Sequence, residues 1–174
     1  MRILIVYGTS EGQTRKIAEA VATRIHELGH EVHLYDSASS PAELHADSYY
    51  KIIIAASVHQ QRHQESVEDF VTAKLAELQK RPTLFVSVSL SAAFSEGMTE
   101  ARSYVEAFLV DTGWTPIQTL LVAGALRYAE YDYFKEQIIE HVVLKNRKIE
   151  GPKGDYEFTD WAILLRAVES FVRT

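Results

Sequence analysis

The residues best suited to chemistry lie near the start of the chain. Gly8-Thr9-Ser10-Glu11-Gly12-Gln13-Thr14 places three hydroxyls and an amide around a glycine, directly before a segment with helical periodicity. A helix start offers unpaired N–H groups and the positive end of a dipole, so hydroxyls added there make a seat for a phosphate. The competing reading is plain capping, with Ser10 or Thr9 accepting from the first turn. The loop has neither the G-x-x-x-x-G-K-[ST] nor the G-x-G-x-x-G pattern, which argues against a nucleoside triphosphatase or a dinucleotide site. The histidines offer less. His59 and His63 are four apart with Glu65 nearby, too few ligands for a metal site, so no metal is expected. They read as solvated loop residues, with His59 able to reach a bound ring as a hydrogen-bonding group or proton relay. His26, His30, His33, His45 and His141 show no partner pattern and read as surface residues.

The elements that must position this loop follow from hydrophobic spacing. Ile3-Leu4-Ile5-Val6-Tyr7, Lys51 to Ser57 and Thr83 to Leu90 are apolar runs expected as buried strands. Glu31 to Tyr35 alternates as a half-exposed strand, and Pro116 opens a fifth strand through Ala123. Helical stripes run through Ile17, Val21, Ile25 and Leu28, then Val67, Phe70, Val71, Leu75 and Leu78, then Tyr104 to Leu109, and last Trp161 to Val172. Val58–Gln64 and Ser91–Met98 read as loops, Trp161 as a core residue and Asp160 as an N-cap or salt-bridge partner. Strands alternating with helices imply a parallel sheet with right-handed crossovers. The fold class is therefore α/β, a flavodoxin-like doubly wound five-stranded parallel sheet of order 2-1-3-4-5. The whole chain, 1–174, reads as one domain.

One stretch does not fit that pattern. About thirty residues, 125–156, separate the last strand from the last helix, where a few would serve. The stretch is aromatic-rich from Arg127 to Phe134, carries an apolar stripe at Ile138, Ile139, Val142 and Val143, and ends in Lys145-Asn146-Arg147-Lys148. It reads as a helical insertion before the last helix. One reading is an amphipathic helix packed on the domain. The other is a docking surface for a flat ring, with Tyr128 or Tyr131 stacking and Arg127 and the basic cluster meeting carboxylates. A basic cluster beside such a helix also suits peripheral membrane contact through 127–148.

Composition bounds the rest. The 174 residues carry 18 Lys plus Arg and 24 Asp plus Glu, a net charge of −6, which argues against a nucleic-acid binder. There is no cysteine, so no disulfide, thiolate metal site, self-ligated iron–sulfur cluster or cysteine nucleophile. Redox chemistry would need a bound organic cofactor. No apolar run approaches the roughly 20 residues of a membrane span, and no signal peptide is evident, so a cytoplasmic location is expected, with peripheral contact on the inner face of the membrane.

Several of these motifs resemble known families. Thr9 to Thr14 resembles the phosphate loop of flavodoxins, T/S-x-T-G-x-T, except that Glu11 stands where a hydroxyl is usual; its side chain is expected to point outward. Glu11-Gly12-Gln13-Thr14-Arg15, Ile54-Ala55-Ala56-Ser57-Val58, Val122-Ala123-Gly124-Ala125-Leu126-Arg127-Tyr128 and Tyr156-Glu157-Phe158-Thr159-Asp160-Trp161 resemble the menaquinone-dependent protoporphyrinogen oxidase family from end to end. The resemblance implies FMN as cofactor, a tetrapyrrole substrate, a quinone acceptor and a place in heme biosynthesis. The residues it assigns to FMN are Thr9, Ser10, Glu11, Gly12, Gln13, Thr14, Ser57, Val58, His59, Ser87, Ser89, Leu90, Gly124, Ala125, Arg127 and Tyr128. The chain departs from the family in its insertion, where residues 127–148 hold five basic and four acidic side chains, and in a shorter Ser91–Met98 loop. The alternatives are an FMN electron carrier between protein partners, and an interaction module of the same fold without flavin.

Overall fold

The computed structural model describes residues 1–40, 44–126 and 156–174. Strand β1 (Arg2–Gly8) leads through helix α1 (Gln13–Glu27) to β2 (Glu31–Asp36). Strand β3 (Lys51–His59) turns back into the two-residue β4 (Arg62–His63) and then α2 (Glu65–Leu78). β5 (Thr83–Ser89), α3 (Met98–Thr112) and β6 (Gln118–Ala123) follow, and α4 (Trp161–Arg173) ends the chain. The principal sheet is β2-β1-β3-β5-β6, with β4 attached to β3. Its five long strands are all parallel neighbours. Counted without the short hairpin strand, this is the expected 2-1-3-4-5 order.

The apolar runs explain the layering. Successive side chains leave a strand on opposite faces, so a continuous run feeds two cores. Ile3, Ile5, Ile53, Leu84 and Val86 pack under α1 and α4, against Ile17, Val21, Leu164 and Val168. Leu4, Val6, Ile52, Ile54 and Phe85 pack on the other face under α2 and α3, against Val67, Phe70, Val105 and Phe108. β2 is an edge strand and is open to solvent as its sequence implied, with Glu31, His33 and Leu34 exposed.

Two features differ from the sequence reading. Val58–Gln64 is not simply a loop: Val58 pairs with His63 and His59 with Arg62 as an antiparallel hairpin. A second ribbon pairs β7 (Ala125–Leu126) with β8 (Tyr156–Glu157), so the two ends of the long stretch are hydrogen-bonded together. The helical insertion itself, with Arg127, Tyr128, Tyr131, His141 and the 127–148 membrane-contact expectation, lies outside the described residues. Among the described residues no helix is long and apolar enough to cross a membrane.

Candidate functional site

The site forms where strand order reverses. β1 and β3 stay paired as far as Gly8 and Ala56, but the chain leaves β1 for α1 on one face of the sheet and β3 for α2 on the other, so their loops diverge and leave a crevice between them. Gly8 sits at its floor. A Cβ there would collide with Val67 Cγ2 and lie 2.9 Å from Ser37 Oγ, so only glycine lets β1 run this close to α2.

No side chain of the loop above Gly8 caps the helix that follows it. The residue preceding α1 is Gly12, left-handed at φ +90°. Thr9 Oγ1 instead accepts from the Gly12 N–H at 2.9 Å, which stiffens the turn. The first bond of the helix is Lys16 N–H to Gly12 O at 3.1 Å, so the first-turn donors face the loop. Beneath them Thr14 is 1% exposed, and its hydroxyl has no hydrogen-bond partner among the described residues. A buried hydroxyl without a partner costs on the order of 1–3 kcal/mol, an arrangement that makes sense when a ligand oxygen completes it.

Gln13 has another task. It is 6% exposed, and its Nε2 donates to Thr159 Oγ1 at 3.0 Å and Glu157 Oε2 at 3.3 Å. Thr159 Oγ1 donates in turn to Ala123 O at 2.6 Å, and Phe158 N–H donates to Gly124 O. The strand end of β6, the β7–β8 ribbon and the anion loop are thus tied together. Lys16 adds an ion pair to Glu157 and holds that carboxyl below the usual carboxylate range. Trp161 is only partly buried and donates from Nε1 to Glu157 Oε1, while Asp160 caps α4 by accepting from Ile163 N–H.

The opposite wall is the β3–β4 hairpin. Its turn residues Gln60 and Gln61 both have positive φ, 48° and 66°. Gln64 donates from its amide to Ser10 Oγ and to Ser57 Oγ (3.1 Å), which bridges the two loops across the crevice. His63 is buried at 6% exposure, shares a hydrogen bond with Ser87 Oγ at 2.8 Å, and packs between Phe85 and Phe108. Burial pushes its pKa down to about 4. It is a core residue, not a solvated one, and it engages the Ser87 hydroxyl inside the protein. His59 does stand at the crevice, with Nδ1 3.9 Å from Glu11 Oε1. Glu11 therefore leans across the mouth instead of pointing outward. His33 has a partner too, the Tyr49 hydroxyl.

The remaining expected residues line the same end of the sheet. Ser57 and Val58 stand at the end of β3, half-buried. Ser89 accepts the Ala92 N–H at 3.2 Å and so shapes the turn that includes Leu90; Gly124 N–H donates to Ser89 O, with Ala125 next to it. The sequence reading missed Gln64, Glu157 and Thr159 as parts of the site, and Phe94, whose ring meets Phe158 edge-on at 5.6 Å. Next to these rings a cleft of about 440 Å³ is lined by both apolar and acidic residues, among them Ala92, Leu121, Ile163, Glu157 and Asp160.

This geometry has a counterpart among known proteins. A family model described as flavodoxin domain matches residues 4–151. The chain belongs to the flavodoxin domain family. It is 29% identical over 162 residues to protoporphyrinogen IX dehydrogenase [quinone] of Escherichia coli K12, covering 92% of this chain and 89% of that protein. It superposes on oxidised flavodoxin 1 of Bacillus cereus with TM-score 0.60 at 16% identity, covering 99% and 98% of the two chains. A point mutant of Fusobacterium nucleatum flavodoxin bound to flavin mononucleotide gives TM-score 0.52 at 13% identity, covering 99% and 93%.

Proposed function

We propose that this chain is an FMN-dependent oxidoreductase that oxidises protoporphyrinogen to protoporphyrin, within heme biosynthesis, and delivers the electrons to a quinone. The observation that carries the cofactor is the buried, unpartnered Thr14 hydroxyl under the left-handed turn at Gly12. The substrate and acceptor are those in the name of the Escherichia coli relative.

In this reading bound FMN would supply the two-electron redox chemistry that links oxidation of the tetrapyrrole to reduction of the quinone to quinol. The chain's own residues bind and orient. Thr14 Oγ1, the first-turn N–H groups of α1 and the Ser10 hydroxyl receive the phosphate. Gln64 holds Ser10 and Ser57 in register, so the phosphate seat and the ring-side loop cannot drift apart. Gly124, Ala125, Leu90 and Ser89 form the wall on the β5–β6 side. Phe94 and Phe158, beside the adjoining cleft, offer flat surface to a ring system. Arg127 and Tyr128 follow β7 directly in sequence, and the substrate side is assigned to the stretch they open. No side-chain acid or base is required of this site.

The test is turnover. Purified protein loaded with FMN is mixed with protoporphyrinogen and a water-soluble menaquinone analogue under anaerobic conditions, and protoporphyrin fluorescence is followed. Quinone-dependent appearance of protoporphyrin supports the reading. Flavin that is reduced and reoxidised only by protein partners, with no protoporphyrin formed, would replace the enzyme with an electron carrier.

A further inference from the structure

The cleft beside the Phe94–Phe158 pair has a lining that limits what it can hold. Its volume, about 440 Å³, falls within the range of small-ligand sites, roughly 300–1,000 Å³. It adjoins the β5–β6 wall assigned to the flavin. Ala92 N–H donates to Ser89 Oγ, and Ala123 precedes Gly124, whose N–H donates to Ser89 O. Leu121, Val122, Ile163 and Leu164 make part of the lining apolar, and Phe158 adds an aromatic ring. The charged part of the lining is acidic. Glu157 is held as a carboxylate by Lys16 and by donation from Trp161 Nε1 and Gln13 Nε2. Asp160 accepts from Ile163 N–H at 3.0 Å, so the start of α4 already has its carboxylate and offers no seat for another. Among the described residues that line the cleft none is cationic.

The two substrates of the reading above differ in what such a lining accepts. Protoporphyrinogen is a large macrocycle with two propionates, which acidic neighbours repel. A quinone ring is flat, apolar and uncharged. We propose that this cleft is the binding site of the quinone, and that Asp160 and Glu157 keep the carboxylates of the tetrapyrrole out of it. The inference rests on the proposed function and deepens it. Donor and acceptor bind in different places, and Ile163 and Asp160 set specificity for the acceptor alone.

The FMN-loaded protein is titrated by calorimetry with naphthoquinone and with naphthoquinone sulfonate, the same ring carrying a negative charge. The chain has no cysteine to react with either. The KM for protoporphyrinogen is measured alongside. Ile163→Asp takes apolar surface from the cleft and adds a charge, yet suits the first turn of α4. It is expected to weaken naphthoquinone binding about tenfold while the KM for protoporphyrinogen changes less than about twofold. Asp160→Asn keeps a capping side chain. It is expected to tighten binding of the sulfonate about threefold, and less at high salt, with naphthoquinone unchanged. An Ile163→Asp chain that binds naphthoquinone as the wild type does, or whose KM for protoporphyrinogen rises as much as its Kd for the quinone, would overturn the inference. So would an Asp160→Asn chain no better with the sulfonate. A wild type that forms no protoporphyrin, yet shows both shifts in quinone binding, removes the tetrapyrrole from the proposed function and leaves the quinone site standing. A wild type that oxidises protoporphyrinogen, beside variants with unchanged quinone binding, overturns this inference alone.

Discussion

The anion loop at Thr9–Thr14 and the β3–β4 hairpin face each other across one crevice, yet they obtain their shapes by different means. The loop is set locally. Gly12 supplies the left-handed turn, Thr9 ties its N–H, and α1 begins. The hairpin is set from a distance. Two glutamines occupy left-handed backbone, which costs an L residue roughly 1 kcal/mol, and what holds them there is His63 anchored among Phe85, Phe108 and Ser87. A site wall built on local rules is legible in sequence and tolerant of distant change. One built on tertiary anchoring is neither, and it should fail first when its anchor changes charge.

The largest effect expected concerns that anchor. His63 ionises near its ordinary value of 6.5 when unfolded and at about 4 when folded. Between those values the unfolded chain binds more protons, so stability rises with pH across the window. It is fully present above 6.5 and is lost as pH falls toward 4, by about 3 kcal/mol in all. Denaturant unfolding across this range should show that slope, and His63→Leu should remove most of it. A wild-type chain equally stable at both ends would mean the hairpin is not anchored this way.

Next comes Gly8, where β1 passes closest to α2 just before the loop. Gly8→Ala forces a Cβ against Val67 and is expected to cost about 2 kcal/mol of stability, measured by denaturant unfolding. Thr14→Val tests the loop by itself. It removes a hydrogen bond to a charged group, so FMN affinity is expected to fall about thirtyfold. Stability without ligand should hold or rise, because a buried unpartnered hydroxyl disappears. A stability loss would mean the hydroxyl serves the fold. The smallest effect is at the turn. Gln61→Gly relieves left-handed strain and is expected to stabilise the protein by up to about 1 kcal/mol, read from the unfolding midpoint.

The same contrast governs how much of the molecule is legible in its sequence. The strands followed from runs such as Ile52-Ile53-Ile54, because a strand buried on both faces must be apolar throughout, and their order from the alternation of strands with helices. The loop followed from glycine and hydroxyls beside a helix start. The hairpin did not, since Gln-Gln carries no turn signal of the Asn-Gly kind. His63 looked solvated because its neighbours in sequence are polar, whereas Phe85 and Phe108 lie far along the chain. Thr159 and Gln13 are 146 residues apart, and no local pattern announces such a pair.

In this reading the two walls hold one FMN between them, the loop its phosphate and the hairpin side its ring. The most direct measurement is a fluorescence titration of the purified chain with FMN and, separately, with riboflavin. FMN is expected to bind at least about a hundredfold more tightly, a difference supplied by charge-assisted hydrogen bonds in the Thr9–Thr14 loop. Equal affinity for the two flavins, or no binding of either, would contradict it.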